Sequence, residues 1–176
     1  DDVQQRLPVR ADLDGEVARR VPAGIDRRHS RRDLIARRDQ LTFIHPFDNF
    51  NVMAGQGTMA LEILEQVPDL DAIVVPVGGG GLIAGIGTVM RARKPAVRVI
   101  GVEPEHAACL TAALAAGKPV PVGLSPTLAD GLAVPQIGTE PFKVLPRVVD
   151  ALVTVNEASI ALAILLRIDY ENRRIL

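Results

Sequence analysis

From residue 41 onward, apolar residues fall into short runs and helical stripes that alternate along the chain. This is the pattern of an α/β fold, with a parallel sheet flanked by helices. Residues 41–44 (Leu-Thr-Phe-Ile) predict a short buried strand. Over 52–67, Met53, Ala60, Ile63, Leu64 and Val67 lie near one helical face and Glu62 and Glu65 lie off it, so a helix is predicted, started by Asp48 or Asn49 and ended by Pro68. Gly55 and Gly57 sit in its first turns, where each costs about 1 kcal/mol against alanine, so close packing or close ligand approach is expected there. Residues 72–77 and 97–102 are β-branched runs on either side of a helical, small-residue segment at 82–90; that order predicts a right-handed crossover between parallel strands. A short helix over 107–116 stops at Gly117, loops follow over 119–131, and 141–146 reads as a short helical or irregular piece. Residues 148–155 predict a strand interrupted by Asp150, and Asn156 caps a helix beginning at Glu157.

Residues 1–40 break this pattern. They hold ten Arg, seven Asp, one Glu and no Lys, and only Val17, Val21 and Ile25 suggest a helical face. The interleaved aspartates cancel most of the charge, so a solvated extension fits better than a basic RNA-binding arm. A stretch read out of frame would have the same Arg-rich, Lys-free composition. Two segments are therefore expected: an atypical 1–40, and 41–176 as the folded α/β part.

The densest chemical signal is Val77 followed by four glycines, Gly78–Gly81, and then Leu82. Strand, glycine loop and helix, in that order, build an anion site. Loop and first-turn N–H groups lack partners within the helix, and the helix dipole favours negative charge. A structural turn without ligand is the competing explanation. The spacing is neither G-x-G-x-x-G nor a P-loop, because Gly117-Lys118 is followed by Pro119. A net charge of −1 argues against strong binding to nucleic acid or anionic membranes. The lone cysteine, Cys109, excludes an internal disulfide framework and fits a reducing, cytoplasmic setting.

Four stretches in order, AGQGTMALEILEQ (54–66), VVPVGGGGLIAGI (74–86), GVEPE (101–105) and LADGLAV (128–134), resemble the fold-type II pyridoxal-phosphate enzymes. The resemblance is closest to the serine/threonine dehydratase (threonine ammonia-lyase) and serine racemase group, and it covers roughly residues 41–166. It implies an incomplete large domain of that fold, with the cofactor phosphate held by the N–H groups of Gly78, Gly79, Gly80, Gly81 and Leu82. It implies elimination of water from serine or threonine to give ammonia and a 2-oxo acid, or serine racemisation, and a homo-oligomer acting on a small amino acid.

The same resemblance implies a Ser-x-Lys-x-Arg-Gly-like motif whose lysine links to the cofactor and moves the α-proton. This sequence contains no such motif, and its three lysines, Lys94, Lys118 and Lys143, read as surface residues. A central part of a longer or aberrant enzyme is expected, with a non-catalytic phosphate-binding module as the alternative. The family's metal-binding members imply a divalent cation at Glu103 and the Ala107 carbonyl. The third ligand position is Cys109, a poor match for a hard cation. His45 and Asp130 read as loop-forming residues.

Overall fold

The computed structural model describes residues 34–175, with side chains through residue 167. The helical face at Val17, Val21 and Ile25 lies outside the described residues. By contacts the chain divides into two units, Asp1–Ile44 and His45–Leu176. In the first, residues 34–38 are helical and Gln40 takes a left-handed φ of 54°, ending the helix as the Leu41 N–H donates to the Ala36 carbonyl. The strand predicted at 41–44 does not form. Leu41 and Ile44 are exposed, and no described strand pairs with this run, so its backbone has no ladder to join.

The second unit is built on three parallel strands, β1 (Ala72–Pro76), β2 (Arg98–Pro104) and β3 (Ala151–Val155), in that spatial order. Val75 lies opposite Gly101, and Gly101 opposite Leu152. Six helices accompany the sheet: α1 (Phe50–Gln66), α2 (Gly81–Arg93), α3 (Cys109–Ala116), the single turns α4 (Thr139–Phe142) and α5 (Leu145–Val148), and α6 (Glu157–Ile175). The predicted strand over 148–155 is thus shorter. Val148 closes α5, and the Asp150 side chain is spent before the strand begins, accepting the Val99 N–H at 2.7 Å and pairing with Arg91. Arg91 also donates to the carbonyls of Pro95, Val97 and Val148, so one guanidinium fastens the end of α2 to the starts of β2 and β3.

Helix α2 is the core of the unit. Ile83, Ala84, Ile86 and Met90 are buried against Val75, Val77, Val99 and Leu145. Helix α1 lies on it at glycine contacts. A Cβ on Gly57 would stand 3.2 Å from the Gly85 carbonyl oxygen, and one on Gly85 only 2.3 Å from the Met53 oxygen. Met53 and Ala60 are buried and Ile63 and Leu64 pack on the core, as the stripe predicts, whereas Val67 is exposed. Among the described residues no helix is long and apolar enough to cross a membrane.

Candidate functional site

The loop between β1 and α2 is fixed by its carbonyls. The Gly78 oxygen accepts the Cys109 thiol at 3.2 Å, the Gly79 oxygen accepts the Gly138 N–H at 3.0 Å, and the Gly80 oxygen accepts the Ala84 N–H at 3.0 Å. A trans peptide is planar and sets its N–H opposite its C=O. Each anchored carbonyl therefore turns the next residue's N–H, on Gly79, Gly80 and Gly81, away from its anchor. With the Gly78 and Leu82 N–H groups these are the loop's available donors; among the described residues no protein acceptor takes them.

The start of α2 has no oxygen of its own. Gly80, at a left-handed φ of 90°, is the N-cap and offers no side chain. The other long helices are closed by side chains: Asn49 accepts the Asn51 and Val52 N–H groups at α1, and Asn156 accepts the Ser159 N–H at α6. At α3 the buried Glu103 carboxylate accepts Leu110 N–H at 2.6 Å, Thr111 N–H at 2.9 Å and the Thr111 hydroxyl at 2.8 Å. An uncapped positive helix end beside outward N–H groups fits a phosphate ester.

The glycines themselves answer to the protein side of the loop. A Cβ on Gly79 would meet the Phe47 ring at 2.2 Å, one on Gly80 the Ile137 side chain at 2.7 Å, and one on Gly81 the Phe47 backbone and Cβ at 3.0 Å. The 45–48 loop that brings Phe47 here is organised by His45, whose Nδ1 accepts the Asp48 N–H at 2.9 Å and whose ring stands edge-on to Phe47. Asp48 in turn accepts the Glu140 N–H at 2.7 Å, next to the Gly138 that anchors Gly79. Phe47 and Gly138 are parts of the site that the sequence pattern did not single out, and Cys109 was singled out there only as a poor third metal ligand, not as a partner of the loop. They come from distant segments and follow no spacing rule.

The other candidates are placed as follows. Both oxygens of Glu103 serve the start of α3, Ala107 is buried in a turn of 3₁₀ helix (Glu105–Ala107), and Cys109 points its thiol at Gly78. That donor set fits a helix cap and does not fit a hard divalent cation. Among the described residues no three His, Cys, Asp or Glu side chains group to hold a metal ion. Burial, aided by the Glu103 charge, pushes the Cys109 thiol up to about 12. Asp130 opens a turn in which its carbonyl accepts the Ala133 N–H. The lysines are not at the loop. Lys94 donates to the Pro68 carbonyl at the far end of α2, about 20 Å along the helix. Lys118 is exposed, and Lys143 pairs with Glu140. At the C-terminal ends of the strands lies an apolar cavity of about 450 Å³ lined by Pro76, Val102, Pro104, Leu132, Val155 and Ile160.

A model of the family described as pyridoxal-phosphate dependent enzyme matches residues 12–173. The L-threonine ammonia-lyase of Thermotoga maritima is 48% identical over 123 residues, which is 70% of this chain and 31% of the relative. That of Geobacter sulfurreducens is 52% identical over 122 residues, 69% of this chain and 30% of the relative. The chain thus spans about a third of the length of these curated relatives. Among solved structures, the processed form of threonine deaminase isoform 2 from Solanum lycopersicum superposes with a TM-score of 0.67 at 41% identity, covering 70% of this chain and 36% of that one. Maize serine racemase gives 0.70 at 34%, covering 77% and 42%. The family match takes in the glycine loop and all three strands around it, and on that match the chain belongs to the pyridoxal-phosphate dependent enzymes.

Proposed function

We propose that this chain is the phosphate-holding part of a pyridoxal-phosphate-dependent serine/threonine ammonia-lyase, releasing ammonia and a 2-oxo acid. The observation that carries it is the loop in which three glycine carbonyls are anchored inward and the next N–H groups turned out, at the one long helix start, among the described residues, without a side-chain cap. Gly78, Gly79, Gly80, Gly81 and Leu82 hold the ester through their backbone N–H groups. The bound cofactor supplies an electron sink for the pair left when an amino acid loses its α-proton. This chain's part is to bind and orient. The anchored loop fixes the ester, and Phe47 covers the glycine face that does not meet it. Lys94 and Lys143 are engaged with Pro68 and Glu140 and Lys118 is exposed, so the reading assigns movement of the α-proton to a lysine outside the motifs present.

Identity of 48% and 52% to named L-threonine ammonia-lyases supports the lyase assignment. Likeness to maize serine racemase supports serine racemisation as the second outcome of the same site. The reading includes a homo-oligomer, supported by the exposed apolar residues Leu162, Leu165 and Leu166 on α6. It also includes a cytoplasmic setting, supported by the single buried, unpaired thiol.

Calorimetric titration with pyridoxal phosphate and with pyridoxal tests the loop. The ester is expected to bind at least about tenfold tighter, and equal affinities would sink the assignment. The lyase half is tested by reading the coding DNA on either side for a Ser-x-Lys-x-Arg-Gly-like stretch. Its product is then assayed with threonine and serine. Ammonia release with 2-oxo acid is expected; D-serine formation alone would favour the racemase.

A further inference from the structure

We propose that Cys109 is a positioning residue of the phosphate loop: its thiol, donating to the Gly78 carbonyl, sets the plane of the Gly78–Gly79 peptide and so the direction of the Gly79 N–H. The inference rests on the phosphate reading of the loop. A peptide between two glycines has little intrinsic preference for its orientation, because neither neighbour carries a Cβ to resist a flip. Such a plane needs an external anchor. The next two planes take theirs from backbone N–H groups, of Gly138 and Ala84. The Gly78–Gly79 plane takes its anchor from a side chain, at 3.2 Å. It is therefore the one whose orientation a substitution can change directly.

The anchor is well held. Cys109 is fully buried at the first position of α3. The adjoining residues of that turn, Leu110 and Thr111, are tied to Glu103 through their N–H groups. Glu103 sits near the end of β2, two strand positions beyond Gly101, which pairs with Val75 of β1. A path of strand, carboxylate, helix turn and thiol thus ends on the loop. A carbonyl oxygen can only accept, so the thiol acts there as donor. This gives Glu103 and Cys109 a shared purpose other than metal ligation: one fixes the helix start, the other uses it.

The test compares wild type, Cys109→Ala and Cys109→Ser in the full chain, titrated with pyridoxal phosphate and with pyridoxal. The alanine variant removes the donor together with the buried sulfur; serine keeps a side chain of similar size and restores an O–H. Cys109→Ala is expected to weaken ester binding about five- to tenfold, to leave pyridoxal within about twofold, and to be substantially rescued by serine. An unchanged ester-to-pyridoxal ratio in Cys109→Ala, with wild type still preferring the ester, would overturn the inference and spare the loop assignment. Wild type with no preference would sink the loop assignment itself. Should Cys109→Ala fail to fold, the S–H stretch of wild type decides, since the chain has one cysteine. A hydrogen-bonded, low-frequency band that moves with pyridoxal phosphate and not with pyridoxal is expected. A free-thiol band indifferent to both refutes it.

Discussion

The ring of Phe47 occupies the space that a side chain at residue 79 would need: a Cβ placed on Gly79 stands 2.2 Å from it. Gly79 is thus glycine because an aromatic ring lies against it, whatever the ligand on the other side requires. Gly79→Ala is expected to destabilise the fold by about 1–3 kcal/mol through overpacking, and to weaken ester binding with it. Pairing it with Phe47→Ala should recover part of both, so the cycle has a favourable coupling. Denaturant midpoints and pyridoxal phosphate titrations of the four proteins measure it. Strict additivity would show that ring and glycine do not compete. Gly79→Asp confounds this clash with charge repulsion and separates nothing by itself.

Gly55 and Gly85 make a contrasting pair. A Cβ on Gly55 meets nothing within 4 Å, while one on Gly85 would lie 2.3 Å from the Met53 carbonyl oxygen and 2.8 Å from the Gly57 nitrogen. Gly55→Ala should stabilise by about 0.4–1 kcal/mol through helix propensity and unfolded-state entropy. Gly85→Ala should destabilise by about 1–3 kcal/mol, because α1 must move off α2. Thermal midpoints moving in the same direction would contradict this account of the helix contact.

These glycines show where a sequence stops being legible. Periodicity located α1, α2 and the parallel strands, because burial on one side leaves a repeating trace at Met53, Ala60, Ile63 and Leu64. Caps were legible at Asn49 and Asn156, whose side chains act on N–H groups two or three residues away. Gly55 and Gly57 looked alike in sequence, yet only Gly57 faces α2. The 41–44 run looked like a strand because apolar content is local, whereas pairing is not. The glycine loop was visible as a loop. Its long-range contacts, Cys109, Gly138 and Phe47, come from segments 28 or more positions away and carry no spacing signature.

Glu103→Ala should strip the buried Leu110 N–H and the part-buried Thr111 N–H at the start of α3 of their acceptor, and leave the Thr111 hydroxyl to solvent. A loss of about 1–3 kcal/mol per unsatisfied buried group is the expected scale, tempered by entry of water. Added magnesium or calcium, or removal of metal with EDTA, should leave the wild-type midpoint where it was. A midpoint that rises with calcium and returns with EDTA would restore the cation site at Glu103 and Ala107.

Asp150 makes stability fall in acid. Hydrogen bonding to Arg91, and then to the Val99 N–H, holds its carboxyl below the ordinary 3.8. The folded state therefore releases this proton more readily than the unfolded chain. Its contribution is present above about pH 5 and is lost as pH falls through 3.8 towards the folded value. Asp150→Asn should flatten this part of the acid limb and lower stability at pH 7. The effect is modest, since both partners are partly exposed. An acid limb identical in the two proteins would mean that the pair contributes nothing.

Cys109 acts at the opposite end of the pH scale, and the sign reverses. Burial and the Glu103 charge raise its thiol from 9.0 to about 12. Below pH 9 both folded and unfolded chains keep the proton. Between 9 and 12 the unfolded chain gives it up and the folded one does not, so stability declines with rising pH across that window. Cys109→Ser, which has no proton to lose there, should remove one proton's worth of slope. The same shift makes thiolate in the folded state far scarcer than in a free thiol at equal pH. Disulfide reagents at pH 8 should therefore modify the native chain only as fast as it opens, and the rate should rise with denaturant. Fast, denaturant-independent labelling would mean that the thiol is accessible and is not held against Gly78.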